Sequence, residues 1–432
     1  MTAAPRRAAV AYYVHVPFCA ALCPYCDYPV TVGSLDRAPE LVTAVLSEVE
    51  TLRDALADRP VAALYVGGGT PSFLPPAELR RLLTGLADAL LTPAPDEGGS
   101  RQCECTLEAN PEDVTPDLLE TCASAGIDRL SIGVQSFAEP SLRRLGRPCT
   151  GSELHAAMEL VSRAWRGRLN LDLLAGVPGQ QVADVQADVD RVADLGVDHV
   201  TLLQLADPPA GGLQPSAAAD ALWLAAGERL RRRGYADYEV CHFARAGDRS
   251  RYLCHALQSR PVAAAGPGSV GTLPAAAAAR YGGAVPTESG AVRCTHTAAL
   301  DSYLAGQGIG WGCNTEPVSA RDLLVEHLLQ GLRLTDGIAA ESEWYRPSPA
   351  ALLGELWERW RRRGLAHRPH PPHARLALTA RGRLQLDALM ATASDWLEQA
   401  GRGRERLVAR WPDGAGLPGS GREALLAAPQ RQ

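Results

Sequence analysis

Tyr12-Tyr13-Val14-His15-Val16-Pro17-Phe18-Cys19-Ala20-Ala21-Leu22-Cys23-Pro24-Tyr25-Cys26 joins two kinds of sequence. Its first half is an apolar, β-rich run of the kind that forms a buried strand. Its second half spaces three cysteines as Cys-x₃-Cys-x₂-Cys. Thiolates this close can hold three corners of a cubane iron–sulfur cluster, and they must be deprotonated to do so. A cluster with more irons than protein ligands keeps one iron open to nitrogen and oxygen donors. A zinc ion completed by His15 uses the same residues, and that alternative stays open at this point.

The chain has 432 residues, 46% hydrophobic and 21% charged, enough for one large domain and a smaller one. Every lysine or arginine position is arginine, and the formal net charge is -6. A mildly acidic chain lacks the basic surface of sequence-independent nucleic-acid binding, so no nucleic-acid partner is expected. Eleven cysteines, an odd number whose first three are too close for a disulfide framework, point to a reducing cytoplasm. The run before Pro17 contains His15 and no small-residue cleavage site, so it reads as a strand rather than a signal peptide. No apolar run approaches the roughly 18 residues that span a bilayer, and no transmembrane segment is expected.

Apolar, β-branched runs recur at 10–16, 61–66, 103–109, 129–134, 169–174 and 199–205. Helical patterns lie between and after them, at 40–57, 77–91, 116–124, 152–165, 181–195 and 217–233. Thr115-Pro116 reads as an N-cap with proline in the first turn; Gly126, Gly196 and Gly234 read as the residues that end helices. Six βα units in a row predict a parallel sheet, open or curled into a partial barrel. Residues 261–290, rich in Ala, Gly and Pro, read as loop or irregular structure, and 306–317 as a second glycine-rich break. Helices over 320–332 and 349–363, then a short strand and helix from Arg375, predict a small α+β unit. The divisions expected are 1–260, a connecting segment 261–317, a C-terminal domain 318–400 and a mobile tail 401–432.

Placed on this map, the polar features fall at one end of the strands. The cysteine loop leaves strand one, and Gly67-Gly68-Gly69-Thr70-Pro71 leaves strand two. Glu108-Ala109-Asn110-Pro111 ends strand three; Gln135-Ser136 ends strand four, with Arg147 following; Asp172 lies on strand five. Carboxyl ends of strands are where α/β sites are built. Glycines let backbone approach a ligand, Glu108 and Asp172 accept from hydroxyls or an ammonium, and Arg147 can pair with a carboxylate. Together these suit a zwitterionic amino acid joined to a nucleoside. Asp172 alternates with Leu171 and Leu173, so the opposite orientation is the alternative.

Other features have plainer readings. Cys103 and Cys105 share one face of a strand, as buried thiols do. Cys241-His242, Cys254-His255 and the His367, His370, His373 series read as loop polar residues before they read as metal ligands. Trp357 and Trp360 read as packing residues.

The chain resembles the radical S-adenosylmethionine superfamily, in the branch of oxygen-independent coproporphyrinogen oxidases and the related HemW heme chaperones. The residues that carry this are Tyr13 to Cys26, Gly67 to Ser72, Glu108 to Pro111, Arg129 to Phe137, Leu145-Gly146-Arg147, Asn170 to Gln180, Gly234 to Val240 and His327 to Ile338. The resemblance covers about 10–395. It implies a partial (β/α)₆ TIM-type barrel with a small α+β C-terminal domain. It implies a [4Fe-4S] cluster on Cys19, Cys23 and Cys26, whose open iron chelates S-adenosylmethionine, and one-electron cleavage of that cofactor. Tyr13, Tyr25, Gly68, Gly69, Thr70, Glu108, Gln135, Arg147 and Asp172 would surround it. Heme is a third ligand the resemblance suggests. A flavodoxin- or ferredoxin-type electron donor and a heme-acceptor protein are the implied partners. A radical methyltransferase of a natural-product pathway and a coproporphyrinogen III dehydrogenase are the alternatives.

The chain also departs from its relatives. Tyr28 stands where the oxidases carry a further cysteine. Tyr252 and Leu253 stand where the chaperones have His-Asn, with His255 three residues on as a displaced substitute. Leu203 and Pro208 replace a usual Tyr and Glu. The cofactor half of the pattern is therefore complete and the substrate half is altered.

Overall fold

Runs of Val, Leu, Ala and Tyr build six parallel strands in the computed structural model, which describes residues 8–91, 103–206, 212–283, 285–306, 313–341, 344–369, 374–400 and 407–409. They are β1 Val10–Val16, β2 Val61–Gly68, β3 Glu104–Ala109, β4 Arg129–Gln135, β5 Arg168–Ala175 and β6 His199–Gln204. Each pairs in parallel with the next, in chain order. Parallel neighbours need crossovers, and right-handed crossovers place the helices together on one face. Those helices are α1 Ala38–Ala55, α2 Pro76–Leu90, α3 Pro116–Ser124, α4 Gly151–Ala164, α5 Val182–Asp194 and α6 Ala219–Arg232. Leu82 and Leu86 of α2 and Val189 and Val192 of α5 share one core with Leu107 of β3 and Leu130 of β4. The Thr115 side chain caps α3 by accepting from Leu118 N–H, and Gly126, Gly196 and Gly234 take positive φ after their helices.

The segment 261–290 corrects the sequence reading. It holds β9 Val262–Ala265, β10 Val270–Pro274 and a helix over Ala275–Gly282, with β11 Ala291–His296 and β12 Cys313–Pro317 following. β9 runs parallel to β1, and β10 to β12 continue the same sheet antiparallel. Gly266 and Gly268 do turn the chain, at φ 96° and 81°. Around them, however, Ala263, Ala264 and Ala265 are buried in a strand that packing selects over alanine's weak strand preference. Beyond β6 lie β8 His242–Ala244 and, outermost, β7 Ala236–Asp237. Among the described residues the sheet has 12 strands and ends at β12 and β7, so it is open rather than a closed barrel.

A second core gathers Leu324 and Leu328, Leu353, Trp357 and Trp360, and Leu389 and Leu397. The two tryptophan rings pack with centroids 5.6 Å apart. Val408–Ala409 pairs with Tyr345–Arg346, so this core takes in residues beyond the expected start of the tail at 401. The rest of the tail from 410, with Pro208, His370 and His373, lies outside the described residues.

A short helix, α7 Arg251–Leu257, lies against the inner face of the sheet. Glu104 of β3 fixes it: Oε1 accepts from Ser250 Oγ at 3.0 Å and Arg251 N–H at 2.8 Å, while Oε2 accepts from Arg129 at 3.0 Å and Arg168 at 2.8 Å. Tyr252 thereby stacks on Tyr65 and Tyr13, with centroids 4.8 Å and 6.2 Å away.

Candidate cluster and cofactor site

A cavity of about 370 Å³ opens at the carboxyl ends of the strands. Cys19, Cys23 and Cys26 line it, together with Tyr25, Gly68, Gly69, Thr70, Glu108, Gln135, Arg147 and Asp172. Tyr13, expected among them, is not in the wall. It sits one layer deeper, its hydroxyl on His15 Nδ1 at 3.0 Å and its ring against Tyr65 and Tyr252.

The thiols are presented by a loop with few bonds of its own. Phe18–Cys19 pairs with Thr31–Val32, and Cys26 N–H donates to the Cys23 carbonyl at 3.0 Å. Cys19 Sγ meets Thr70 Oγ1 at 3.5 Å, and Arg147 Nη1 approaches Cys23 Sγ at 3.9 Å. Burial pushes the Cys19 and Cys26 thiols up, so iron must displace protons there.

The glycine run braces this loop. Gly69 N–H donates to the Val16 carbonyl and Thr70 N–H to the Phe18 carbonyl, both at 2.8 Å. A Cβ on Gly69 would lie 2.7 Å from the carbonyl oxygens of Pro17 and Phe18. A Cβ on Gly68, at φ 116°, would lie 2.8 Å from the His15 ring. Close packing against the cysteine strand thus demands these glycines as strictly as ligand approach does.

The carboxylates sit at different depths of hydrogen bonding. Glu108 Oε1 accepts from the Tyr65 hydroxyl at 2.6 Å and Oε2 from Gly68 N–H at 3.0 Å. Burial pushes Glu108 up to about 7, against the lowering effect of Tyr65 and with Asp172 adding to the rise. Asp172 faces the cavity, not the helices; it accepts from Asn170 Nδ2 at 2.7 Å, and burial raises its pKa too. Gln135 stands at φ 66°, an uncommon backbone conformation for a residue with a side chain, and its Oε1 is buried without a hydrogen-bond partner. Arg147 is tied down by the protein: Nη2 donates to Asn110 Oδ1 at 2.8 Å and to the Gly133 carbonyl at 3.0 Å.

Sequence reasoning missed Tyr65 as a site residue and understated Asn110, which also donates to Thr70 Oγ1 at 3.2 Å. Tyr65 carried a signal, since it alternates with buried Leu64 and Val66 on its strand.

The rival ligands resolve differently. Both nitrogens of His15 are engaged, Nε2 donating to the Pro29 carbonyl at 3.1 Å, so His15 does not complete a zinc site. Among the described residues no three His, Cys, Asp or Glu side chains converge as a single ion requires. Three thiols on the wall of one cavity suit a cluster of several irons. His255 is no displaced ligand: it is buried in α7, Nε2 bonds the Pro261 carbonyl at 2.8 Å, and burial lowers it to about 4. Cys103 and Cys105 are buried with sulfurs 3.9 Å apart. His242 Nδ1 donates to Glu239 at 2.7 Å, beside Cys241. Leu203 lines the cavity and is 40% exposed.

Residues 13–192 match the Radical SAM superfamily model. The heme chaperone HemW of Mycobacterium tuberculosis is 32% identical over 400 residues, 88% of this chain and 93% of that protein. The mitochondrial radical S-adenosyl methionine domain-containing protein 1 of Bos taurus is 30% identical over 368 residues, 82% and 79% of the two chains. The solved coproporphyrinogen III oxidase HemN of Escherichia coli shares the fold, at TM-score 0.68 and 20% identity over 91% and 92%. No helix of the described residues is long and apolar enough to cross a membrane. The cavity, its thiols and these similarities lead to one assignment: the chain belongs to the radical SAM superfamily, in the branch that holds the HemW proteins.

Proposed function

We propose that this protein binds heme and passes it to acceptor proteins in the cytoplasm, with an iron–sulfur cluster and S-adenosylmethionine bound beside the heme. One observation carries the reading: three thiols and eight further predicted positions meet on one cavity, in a chain that matches a HemW heme chaperone over 93% of that protein's length. Members of this superfamily hold a [4Fe-4S] cluster and S-adenosylmethionine, and the bound cluster supplies an electron to that cofactor. We assign the cluster to Cys19, Cys23 and Cys26. We assign the cofactor to Tyr25, Gly68, Gly69, Thr70, Glu108, Gln135, Arg147 and Asp172, with Tyr13 supporting from beneath. Residues up to about 260 carry this site, and 261–317 extends its sheet.

In this reading each side chain has a definite task. Gln135 offers its unpartnered Oε1 to a ligand donor, and Asp172 accepts from a hydroxyl. Arg147, fixed by Asn110 and Gly133, holds positive charge beside Cys23 and offsets the negative charge of bound thiolate. The tyrosine layer beneath shuts water out from below. A low-potential electron donor of flavodoxin or ferredoxin type and a heme acceptor complete the set of partners.

Heme titration of the protein with its cluster reconstituted tests the proposal. One heme per chain is the expected end point, and failure to bind would refute it. Release of S-adenosylhomocysteine together with 5′-deoxyadenosine in an anaerobic assay would establish a radical methyltransferase instead.

A further inference from the structure

The mouth of the cavity differs in character from its cofactor wall. Leu22, Tyr28, Val30 and Leu203 stand there, and Tyr28, Leu22 and Leu203 are 61%, 59% and 40% exposed. Leu203 of β6 is in register with Leu174 of β5, which lines the cavity from a buried position below it. Large apolar side chains gathered around one opening and left in water mark a binding surface. The lip and the cofactor wall line the same cavity.

Charge narrows the class of that ligand. The described lining residues include Asp27, Glu108, Glu112 and Asp172, against the single cation Arg147. Arg147 is already bonded to Asn110 and Gly133 and lies 3.7 Å from Glu112. Recognition of carboxylates calls for arginine forks, and the one arginine among the described lining residues is already engaged.

We propose that the lip takes a flat, apolar ligand edge-first, with a hydrocarbon edge against Leu22, Tyr28 and Leu203 and its acidic groups turned to solvent. The inference rests on the heme reading for the identity of the natural ligand, though not for the chemistry of the lip. For a porphyrin it means the vinyl edge inward and the propionates outward. A macrocycle with a carboxylate on every edge has no edge to offer.

The test uses the full chain with cluster and S-adenosylmethionine loaded, and metal-free macrocycles, so that iron ligation plays no part. Protoporphyrin IX, with two carboxylates, should bind at least about tenfold more tightly than coproporphyrin III, with four. Leu203→Arg should narrow that preference at least about threefold, and Leu203 is exposed enough for the variant to fold. Equal or tighter binding of coproporphyrin III, or a preference unmoved by Leu203→Arg, would overturn the lip assignment. Nile red, a neutral apolar dye, separates the two proposals. If neither porphyrin binds but Nile red binds and Leu203→Arg abolishes it, the heme reading fails and the lip stands. If Nile red does not bind either, the lip assignment fails.

Discussion

The wall built from β1, β2 and β3 and the lip formed by Leu22, Tyr28 and Leu203 enclose the same cavity, yet they are held in opposite ways. In the wall, backbone bonds backbone, Gly69 to Val16 and Thr70 to Phe18, and Gly68 N–H donates to the Glu108 carboxylate. Each glycine is required by an atom it would otherwise strike. On the lip, Leu22, Tyr28 and Leu203 are exposed to water. A site that must place a cluster is over-determined, and a site that must accept and release a ligand is left open. Substitutions in the wall should therefore cost structure, while those on the lip should cost binding alone.

The largest effect should come from Gly69→Val, whose side chain would press on the Pro17 and Phe18 carbonyls. Iron content after anaerobic reconstitution should fall to near zero; normal loading would break the contrast. Tyr65→Phe should come next, leaving Glu108 Oε1 without its phenol donor. Urea unfolding should show a loss of about 1–3 kcal/mol, the penalty for a buried acceptor left unpaired.

The third effect is a pH dependence. Glu108 ordinarily ionises near 4.5, and burial pushes it up to about 7 in the folded chain. Between those values the folded state keeps a proton that the unfolded state has released. Stability of the cluster-free chain should therefore fall as pH rises from about 4.5 to about 7 and level off above. Glu108→Gln should flatten that slope, as followed by unfolding midpoints across the range; an unchanged slope would assign it elsewhere. The smallest effect is expected at the lip, where Leu203→Ser should change stability by no more than about 0.5 kcal/mol, the usual range for surface substitutions. A larger loss would mean that Leu203 packs as a wall residue does.

The same contrast explains what could be read in the sequence. Strand positions followed from apolar runs, helix ends from Thr115-Pro116 and the glycines after them, and the wall from polar residues at strand ends. Asp172 faces inward because strand alternation sets it in one row with Thr201 of β6. The floor was not legible. Glu104 lies between two cysteines and says nothing locally, because its partners Arg129, Arg168 and Ser250 are distant in sequence. The strand Val262–Ala265 was hidden by its alanines, which no local preference turns into strand but which fit beside β1. The strained backbone of Gln135 also left no trace in composition.

Anaerobic reconstitution of the whole chain, followed by iron analysis and electron paramagnetic resonance with and without S-adenosylmethionine, tests the central claim most directly. The account predicts about four irons per chain and a reduced-cluster signal that S-adenosylmethionine perturbs, both lost in Cys23→Ser. A colourless protein that loads zinc, or a cluster indifferent to S-adenosylmethionine, would contradict it.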